Sequence, residues 1–397
     1  MSGNACELLQ QRMLLEAQQV QIHQLQETGK ALLATLVASG VLTQERFEAQ
    51  LHRLRFRHVL ERHPLASSTD LAHVVSGLPL VIAQCCGHAA TRTLREVSHP
   101  VRAATAGLPD RVCDGGVYVC GGYNGTEFLS LVDCFSPASG KWRPVLSMLY
   151  RREAAAAAVV SGQLFVCGGF DGTHRLRAAE RFDPSTGVWQ LLPTMEARRV
   201  GACAVSRCNK FHVCGGFDGT QYLRSTECFD PMRWVWEGAP PMHVPREGAA
   251  ASTLDGWLYV LGGNNGTQTL SSAERFSAPV AWELLPPMST PRDGATAAVL
   301  RGKLYVCGGF DGEQSLSLNS TERFDPATNL WRGLPPMLTR RAGAAAAVVV
   351  GRLYLCGGYD GAQNLAECER FDPHSRTWEL LPALSCRRGY AAGAGAS

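Results

Sequence analysis

Short apolar stretches punctuated by turn residues recur along the chain from about residue 115 onward. A typical unit begins with a run of small residues at 154–160, continues with the alternating segment Gln163–Cys167, and is followed by Glu180-Arg-Phe-Asp-Pro184 and a segment around Trp189. Each stretch is short and bounded by Gly, Pro or Asp, which is typical of β-strands rather than helices. Each unit therefore predicts one antiparallel sheet of four short strands.

Four markers recur in a fixed order in six such units. A Gly-Gly pair returns at spacings of 47, 47, 47, 46 and 49 residues, and a Trp follows 20 to 23 residues after the first glycine of each pair. Six residues after each Trp comes a Met or, in the last unit, a Leu, and four residues later an Arg. Because a four-stranded sheet cannot bury both faces alone, the repeat predicts sheets stacked as blades around an axis. The pairs begin at Gly121, Gly168, Gly215, Gly262, Gly308 and Gly357, the tryptophans are Trp142, Trp189, Trp236, Trp282, Trp331 and Trp378, and the arginines are Arg152, Arg199, Arg246, Arg292, Arg341 and Arg388.

The two ends of the repeat region complement each other. The first unit lacks an Arg-led, Ala-rich strand before Gly121, whereas residues 387–396, after the sixth Trp, look like residues 340–348 of the preceding unit. We expect this C-terminal stretch to supply the innermost strand of the first blade and so to remove the open edges of the ring. The predicted fold class is all-β, a six-bladed propeller over residues 106–397.

The Gly-Gly pairs, the Glu-Arg-Phe-Asp-Pro segment and the Trp together resemble the repeats of the kelch family over about residues 110–397. The resemblance implies a protein-binding adaptor or scaffold, and many kelch propellers are substrate receptors of cullin-type ubiquitin ligases. Such receptors carry BTB and BACK domains ahead of the propeller, for which the first 110 residues are too few. The family offers two alternatives: actin binding, and a propeller enzyme such as a copper oxidase or sugar isomerase. No His, Tyr and Cys constellation lies on the predicted loops, so we expect no enzyme, no cofactor and no metal.

Residues 1–105 have a different pattern and predict a small, mainly α-helical segment. Residues 7–26 place Leu8, Leu15 and Ile22 on one stripe, and a second amphipathic stretch covers residues 43–62. Both stripes suit a core face, a short coiled coil or a dimerisation module, so a homodimer through these helices is one expectation.

The composition is that of a soluble globular protein, with 45% hydrophobic and 18% charged residues and a net charge of +3. Nucleic-acid binding is disfavoured because it needs clustered Lys and Arg. No apolar stretch approaches the roughly 20 residues of a membrane span, and no secretory signal is visible, so we expect a cytoplasmic protein, with the nucleus left open. The 15 cysteines are then expected to be reduced. Five of them precede a Gly-Gly pair and are predicted to be buried: Cys120, Cys167, Cys214, Cys307 and Cys356.

Strand order predicts where a partner would bind. In an antiparallel blade, the loop between the second and third strands emerges on the same side as the loop that enters the next inner strand. The residue after each Gly-Gly pair lies in the first of these loops and is aromatic in five of six units, followed by Asp or Asn. An aromatic ring with an acidic neighbour favours a basic or amphipathic peptide; the alternative is that the aromatic leans on the next blade and the Asp shapes its turn. The candidates are Tyr123, Phe170, Phe217, Asn264, Phe310 and Tyr359, with Asp171, Asp218, Asp311 and Asp360.

Arginines divide into a regular and an irregular set. The arginine present in all six units is predicted to serve every blade, by pairing with Glu180-type residues or backbone carbonyls. The residue before it varies, so Arg151, Arg198, Arg340 and Arg387 are better partner-binding candidates. Two residues after the regular Arg, small residues predict a wide pocket with few polar groups, and Tyr390 is the one large side chain there.

Overall fold

The computed structural model describes residues 115–278, 281–312 and 317–396. The predicted helices, and the predicted boundary between residues 105 and 106, lie outside the described residues. Within the described part, no helix is long and apolar enough to span a membrane. The described residues form 24 β-strands.

The strands follow the predicted repeat closely. In chain order they are β1 (Gly116–Cys120), β2 (Val132–Ser136), β3 (Lys141–Val145), β4 (Ala156–Val160), β5 (Gln163–Cys167), β6 (Ala179–Asp183), β7 (Val188–Leu191), β8 (Cys203–Arg207), β9 (Lys210–Cys214), β10 (Thr226–Asp230), β11 (Val235–Ala239) and β12 (Ala250–Leu254). They continue with β13 (Trp257–Leu261), β14 (Ala273–Phe276), β15 (Glu283–Leu285), β16 (Thr296–Leu300), β17 (Lys303–Cys307), β18 (Thr321–Asp325), β19 (Leu330–Leu334), β20 (Ala345–Val349), β21 (Arg352–Cys356), β22 (Cys368–Asp372), β23 (Thr377–Leu381) and β24 (Ala392–Ala396).

These strands form six four-stranded antiparallel sheets, the blades of a propeller. Blades 2 to 6 each use four consecutive strands, and blade 1 has the order β24-β1-β2-β3. The inner strands β4, β8, β12, β16, β20 and β24 contact one another in a closed circuit. The prediction of an all-β, six-bladed propeller closed by the C-terminal strand is confirmed.

The seam at which the propeller closes depends on the small residues of β24. This strand pairs with β1 along its whole length, from Gly116 opposite Ala396 to Cys120 opposite Ala392. At Gly393 an added Cβ would lie 2.6 Å from the Ala346 backbone nitrogen in the neighbouring inner strand. A larger residue would therefore push blades 6 and 1 apart.

Apolar side chains fill the space between neighbouring blades. Between blades 1 and 2, for example, Tyr118 and Cys134 pack against Leu164, Val166 and Trp189, all essentially buried. Each interface is held further by the repeated Trp, whose indole Nε1 donates to a backbone carbonyl of the preceding blade. The pairs are Trp142 to Pro382, Trp189 to Leu146, Trp236 to Pro193, Trp282 to Pro240, Trp331 to Pro286 and Trp378 to Pro335, at 2.7 to 3.1 Å.

The repeated arginines lie at the centre of a buried polar network in every blade. Arg199 is 1% exposed. It donates to the Glu227 carboxylate at 2.8 Å and to the carbonyls of Gly215 and Ser225 at 2.7 and 3.0 Å. The other Glu227 oxygen accepts the backbone N–H of Glu196 at 2.7 Å. Blades 2 to 6 use this Arg–Glu pair, and in blade 1 Arg388 pairs with Asp133 instead. The predicted structural role of these arginines is confirmed.

Candidate functional site

One face of the propeller carries both sets of loops that the sequence predicts to meet. In every blade the residue after the Gly-Gly pair forms an antiparallel bridge with the residue that follows the repeated Arg, as in Phe170 with Glu153 and Phe310 with Asp293. The two loops therefore emerge on the same side, and we call this side the mouth face. The six predicted residues of the first loop lie half-buried in it: Tyr123, Phe170, Phe217, Asn264, Phe310 and Tyr359.

A central channel opens at the mouth face, with a volume of about 160 Å³ and a lining mostly of Gly and Ala. One residue per blade at its entrance has a left-handed backbone, with φ between 51° and 64°. In five of these six residues the peptide N–H donates to the carbonyl of the equivalent residue in the previous blade, at 2.7 to 2.9 Å. These linked backbones form a fixed rim in which side chains above alanine size are rare. The six residues are Ala154, Gly201, Gly248, Gly294, Gly343 and Tyr390.

Three carboxylates lie just above this rim, at the position before the left-handed residue: Glu153, Glu247 and Asp293. Asp293 lies over Gly248, where an added Cβ would overlap the carboxylate, and Glu247 lies over Gly201, where an added Cβ would be 2.6 Å from Cγ. Bare glycines of the rim thus leave room for the acids.

The electrostatics of these carboxylates are unusual for surface acids. Burial raises the pKa of Glu247 to about 7, with a further rise from the Asp293 charge and a partial offset from Arg175. Burial also raises the pKa of Asp293 to about 6, offset by the Gly294 N–H, and raises the pKa of Glu153. The mouth face therefore holds negative charge that solvent and neighbouring groups stabilise poorly.

Tyr390 covers part of the channel entrance. An added Cβ on Gly343 would lie 2.5 Å from the Tyr390 ring, and one on Gly294 would lie 3.5 Å from it, so the ring extends over two neighbouring blades. It remains 37% exposed. Burial of the hydroxyl, followed by the charges of Asp293 and Glu153, raises the pKa of Tyr390 to about 12. The phenol is therefore a neutral hydrogen-bonding group beside the acids.

An arc of contacting side chains runs over blades 1 to 3 around the channel. Phe128 lies between Tyr123 and Phe170, with ring centroids 4.9 and 5.3 Å away. The Arg175 guanidinium follows, 6.0 Å from the Phe170 ring and 5.1 Å from the Phe217 ring. Phe217 then contacts Tyr222 at 5.0 Å. We call these six residues the aromatic arc: Tyr123, Phe128, Phe170, Arg175, Phe217 and Tyr222.

Blades 4 to 6 present a more polar half of the mouth face. The positions equivalent to Phe128, Arg175 and Tyr222 are Thr269, Ser317 and Asn364. Ser317 is fully buried and donates to the Tyr359 carbonyl at 3.0 Å. A ligand would therefore meet an aromatic side and a polar side across an acidic centre.

The aspartates that follow the aromatic positions shape their own turns. Asp218 Oδ1 accepts the N–H groups of Thr220 and Gln221 at 2.7 and 2.9 Å and the Thr220 hydroxyl at 2.7 Å. These bonds, led by that from Gln221, lower the pKa of Asp218 to about 2. Asp171 and Asp360 cap their turns in the same way, and Asp311 is 8% exposed. The turn-shaping alternative thus describes three of these residues, and a role in partner binding stays a prediction for all four.

The irregular arginines lie in the loops that enter the inner strands. Arg151, Arg198, Arg340 and Arg387 are all exposed. Arg340 makes a long hydrogen bond of 3.3 Å to the Ser317 carbonyl. Their exposure leaves the guanidinium groups accessible to a ligand, and their role in partner binding stays a prediction.

Replacing Glu247 with Gln should stabilise the protein at pH 8 and leave stability near pH 4.5 almost unchanged. Because the folded-state pKa of Glu247 is raised, the folded protein holds its proton more tightly than the unfolded chain. The free energy of unfolding therefore falls as pH rises from about 4.5 to about 7. The Gln variant does not show this decrease, because it has no carboxyl group at this position. Thermal unfolding across this range measures the effect. Glu127→Gln, at an exposed carboxylate, is the control, and an equal gain at both pH values would contradict the prediction.

Comparison with known proteins agrees with this architecture. The family model described as Kelch motif matches six times, at residues 106–149, 151–196, 198–243, 245–289, 291–338 and 340–385. No curated protein matches the sequence significantly. Among solved structures, one described as "Structure of YjhT" is similar, with a TM-score of 0.57 and 15% identity, covering 69% of this chain and 98% of that one. At that identity the similarity concerns the fold. Because the kelch motifs span most of the chain, this protein belongs to the kelch-repeat family.

Proposed function

We propose that the mouth face binds a protein segment in which a Lys or Arg is flanked by apolar residues. The observation that carries the proposal is the group of half-buried carboxylates beside the aromatic arc. For Glu153 and Glu247, the described residues provide no hydrogen bond or ion pair to the carboxylate. A cation from a ligand would supply the missing partner.

The energetics favour such a ligand over a neutral one. A partly desolvated carboxylate gains more from a cation than a fully hydrated one does, because the surrounding dielectric is lower. The aromatic arc offers rings that bury large areas with little loss of rotamer freedom. The charge would set which residue enters the centre, and the arc would add contact area on one side.

Selection of a phage-displayed random peptide library against the full chain tests the charge requirement. We expect enriched peptides to contain Lys or Arg next to aromatic or aliphatic residues. Their affinity should fall roughly 30-fold or more for the double variant Glu247→Gln/Asp293→Asn, since losing one partner of a desolvated charge pair costs about 2–5 kcal/mol. Affinity should also fall from pH 8 to pH 5, as the carboxylates take up protons. Enrichment of peptides without basic residues, or no enrichment, would refute the proposal.

Two further variants separate the aromatic arc from the polar half of the mouth face. Phe217→Ala should weaken a selected peptide by roughly tenfold, because it removes a ring from the middle of the arc. Thr269→Ala, in the polar half, should have little effect. Equal effects of the two variants would mean that the ligand does not lie along the arc.

The finer role that we propose is that of an adaptor, in which residues 1–105 contact a second protein or a second copy of the chain. The substrate-receptor form of this role predicts that a cullin co-precipitates with the full chain, and absence of the cullin would exclude it. Actin binding and a propeller enzyme stay alternative predictions from the family resemblance. Co-sedimentation with actin filaments tests the first, and copper analysis of the purified protein tests the oxidase form of the second.

A further inference from the structure

Two pairs of cysteines face each other across neighbouring antiparallel strands. Cys203 on β8 is opposite Cys214 on β9, and Cys356 on β21 is opposite Cys368 on β22. All four are free thiols. Directly opposed residues in antiparallel sheets have Cα atoms about 4.5–5.5 Å apart and side chains on the same face, within the range that a disulfide spans. Each pair can therefore be joined without moving its strands far.

The two thiols of the blade 3 pair interact. The Cys203 thiol donates a hydrogen bond of 3.6 Å to the Cys214 carbonyl, and the interaction between the two thiols raises the pKa of Cys203 and lowers the pKa of Cys214. The Thr226 hydroxyl and the Arg199 guanidinium also favour the Cys214 thiolate, against the effect of burial. Cys214 is thus the more acidic of the two thiols, and Cys203 lies directly opposite it on the neighbouring strand.

The two cysteine pairs differ in whether the central channel reaches them. Cys203 lies on an inner strand and belongs to the lining of the central channel, where it is 6% exposed. Cys356 and Cys368 lie on the second and third strands of blade 6, are 1% and 0% exposed, and do not line the channel. Oxidation of a thiol depends on thiolate character and on access. The channel therefore reaches Cys203 of the blade 3 pair, whose partner Cys214 is 1% exposed and does not line the channel, and it reaches neither thiol of the blade 6 pair.

We propose that Cys203 and Cys214 form a redox modification site that a small hydroperoxide reaches through the channel. The Cys203 sulfur, which the channel reaches, loses its proton and attacks the peroxide oxygen, the O–O bond breaks, and Cys203 becomes a sulfenic acid as water or alcohol leaves. The Cys214 sulfur, the more acidic thiol, then attacks the Cys203 sulfur, the S–S bond forms, and the S–O bond breaks with release of water. Two thiols are oxidised and one peroxide is reduced. The product ties β8 to β9 directly below the mouth face.

Treatment of the folded full chain with hydrogen peroxide tests the site. Samples are quenched over time by alkylation, digested without reduction, and analysed by mass spectrometry for linked peptides. We expect the Cys203–Cys214 link to form about ten times faster than the Cys356–Cys368 link. Equal rates, or no Cys203–Cys214 link while the protein remains folded, would overturn the proposal.

Substitutions at Tyr390, which covers the channel entrance, and at Cys214 provide the controls. Tyr390→Ala removes the ring over the channel entrance and should speed formation of the Cys203–Cys214 link without changing the rate at Cys356–Cys368. Cys214→Ser should abolish the link and leave Cys203 as a sulfenic acid that a dimedone probe labels. If Tyr390→Ala left the blade 3 rate unchanged, peroxide would not enter through the mouth face, and the proposed route would be wrong.

Discussion

A chain that ends at Cys386 should lose the cooperative unfolding of the propeller. The truncation removes β24, leaves β1 without an inner neighbour, and takes away Arg388, which pairs with the buried Asp133. It also removes Ala392 and Ala394 from the buried cluster that they form with Tyr118 and Cys120. We expect a broad transition, a drop in midpoint of more than about 10 °C, and association of the exposed edge strand. Circular dichroism on heating and size-exclusion chromatography measure these effects.

A milder test at the same seam uses two glycines with ordinary backbone angles. Gly393→Ala places a methyl group against the Ala346 nitrogen and the Ala345 side chain, whereas Gly238→Ala, on the outer strand β11, meets no atom within 4 Å. The first should destabilise the protein by about 1–3 kcal/mol, and the second should be close to neutral.

A truncated chain with unchanged midpoint and hydrodynamic radius would mean that β24 does not hold the ring together.

Replacing Arg199 with Ala should reduce the free energy of unfolding by about 3–5 kcal/mol, because it leaves the buried Glu227 without its cation. The carbonyls of Gly215 and Ser225 lose their donor as well. Urea denaturation at pH 7 measures the change as a lower midpoint with a similar slope.

The neighbouring arginine is the matched control for this substitution. Arg198 precedes Arg199 directly and is exposed, so Arg198→Ala should change stability by less than about 0.5 kcal/mol. A third variant, Arg199→Lys, keeps the charge but cannot reproduce the branched set of donor bonds, and it should recover only part of the loss. Similar stabilities for Arg198→Ala and Arg199→Ala would contradict the network.

The fold could be predicted from the sequence because each repeated residue performs the same physical task in every blade. Trp189 and its equivalents bond the preceding blade, Arg199 and its equivalents hold a carboxylate and two carbonyls, and the second glycine of each pair has φ between 88° and 101°. Such tasks depend on neighbours that are themselves repeated. The repeated sequence pattern therefore predicts the propeller, including its closure by the C-terminal strand.

The candidate site was harder to predict because its residues break the repeat. Glu153, Glu247 and Asp293 occupy three of six equivalent positions, the others being Val200, Ala342 and Gly389. The three carboxylates lie close together because the rim is narrow, and the spacing of residues along the chain does not show the width of the rim. Phe128, Arg175 and Tyr222 were missed for the same reason. Conversely, Asp171 and Asp218 are regular and acidic, but local turns use their oxygens.

The shared first blade also constrains how the chain folds as it leaves the ribosome. Blades 2 to 6 each consist of consecutive strands, so each can form its own hairpins as it emerges. Blade 1 cannot be completed in this way. β1 is synthesised early, and its edge stays unpaired until residues 392–396 have left the exit tunnel. Throughout synthesis of the intervening strands this edge is open to unwanted pairing, so the nascent chain is an expected client of chaperones that shield exposed strands.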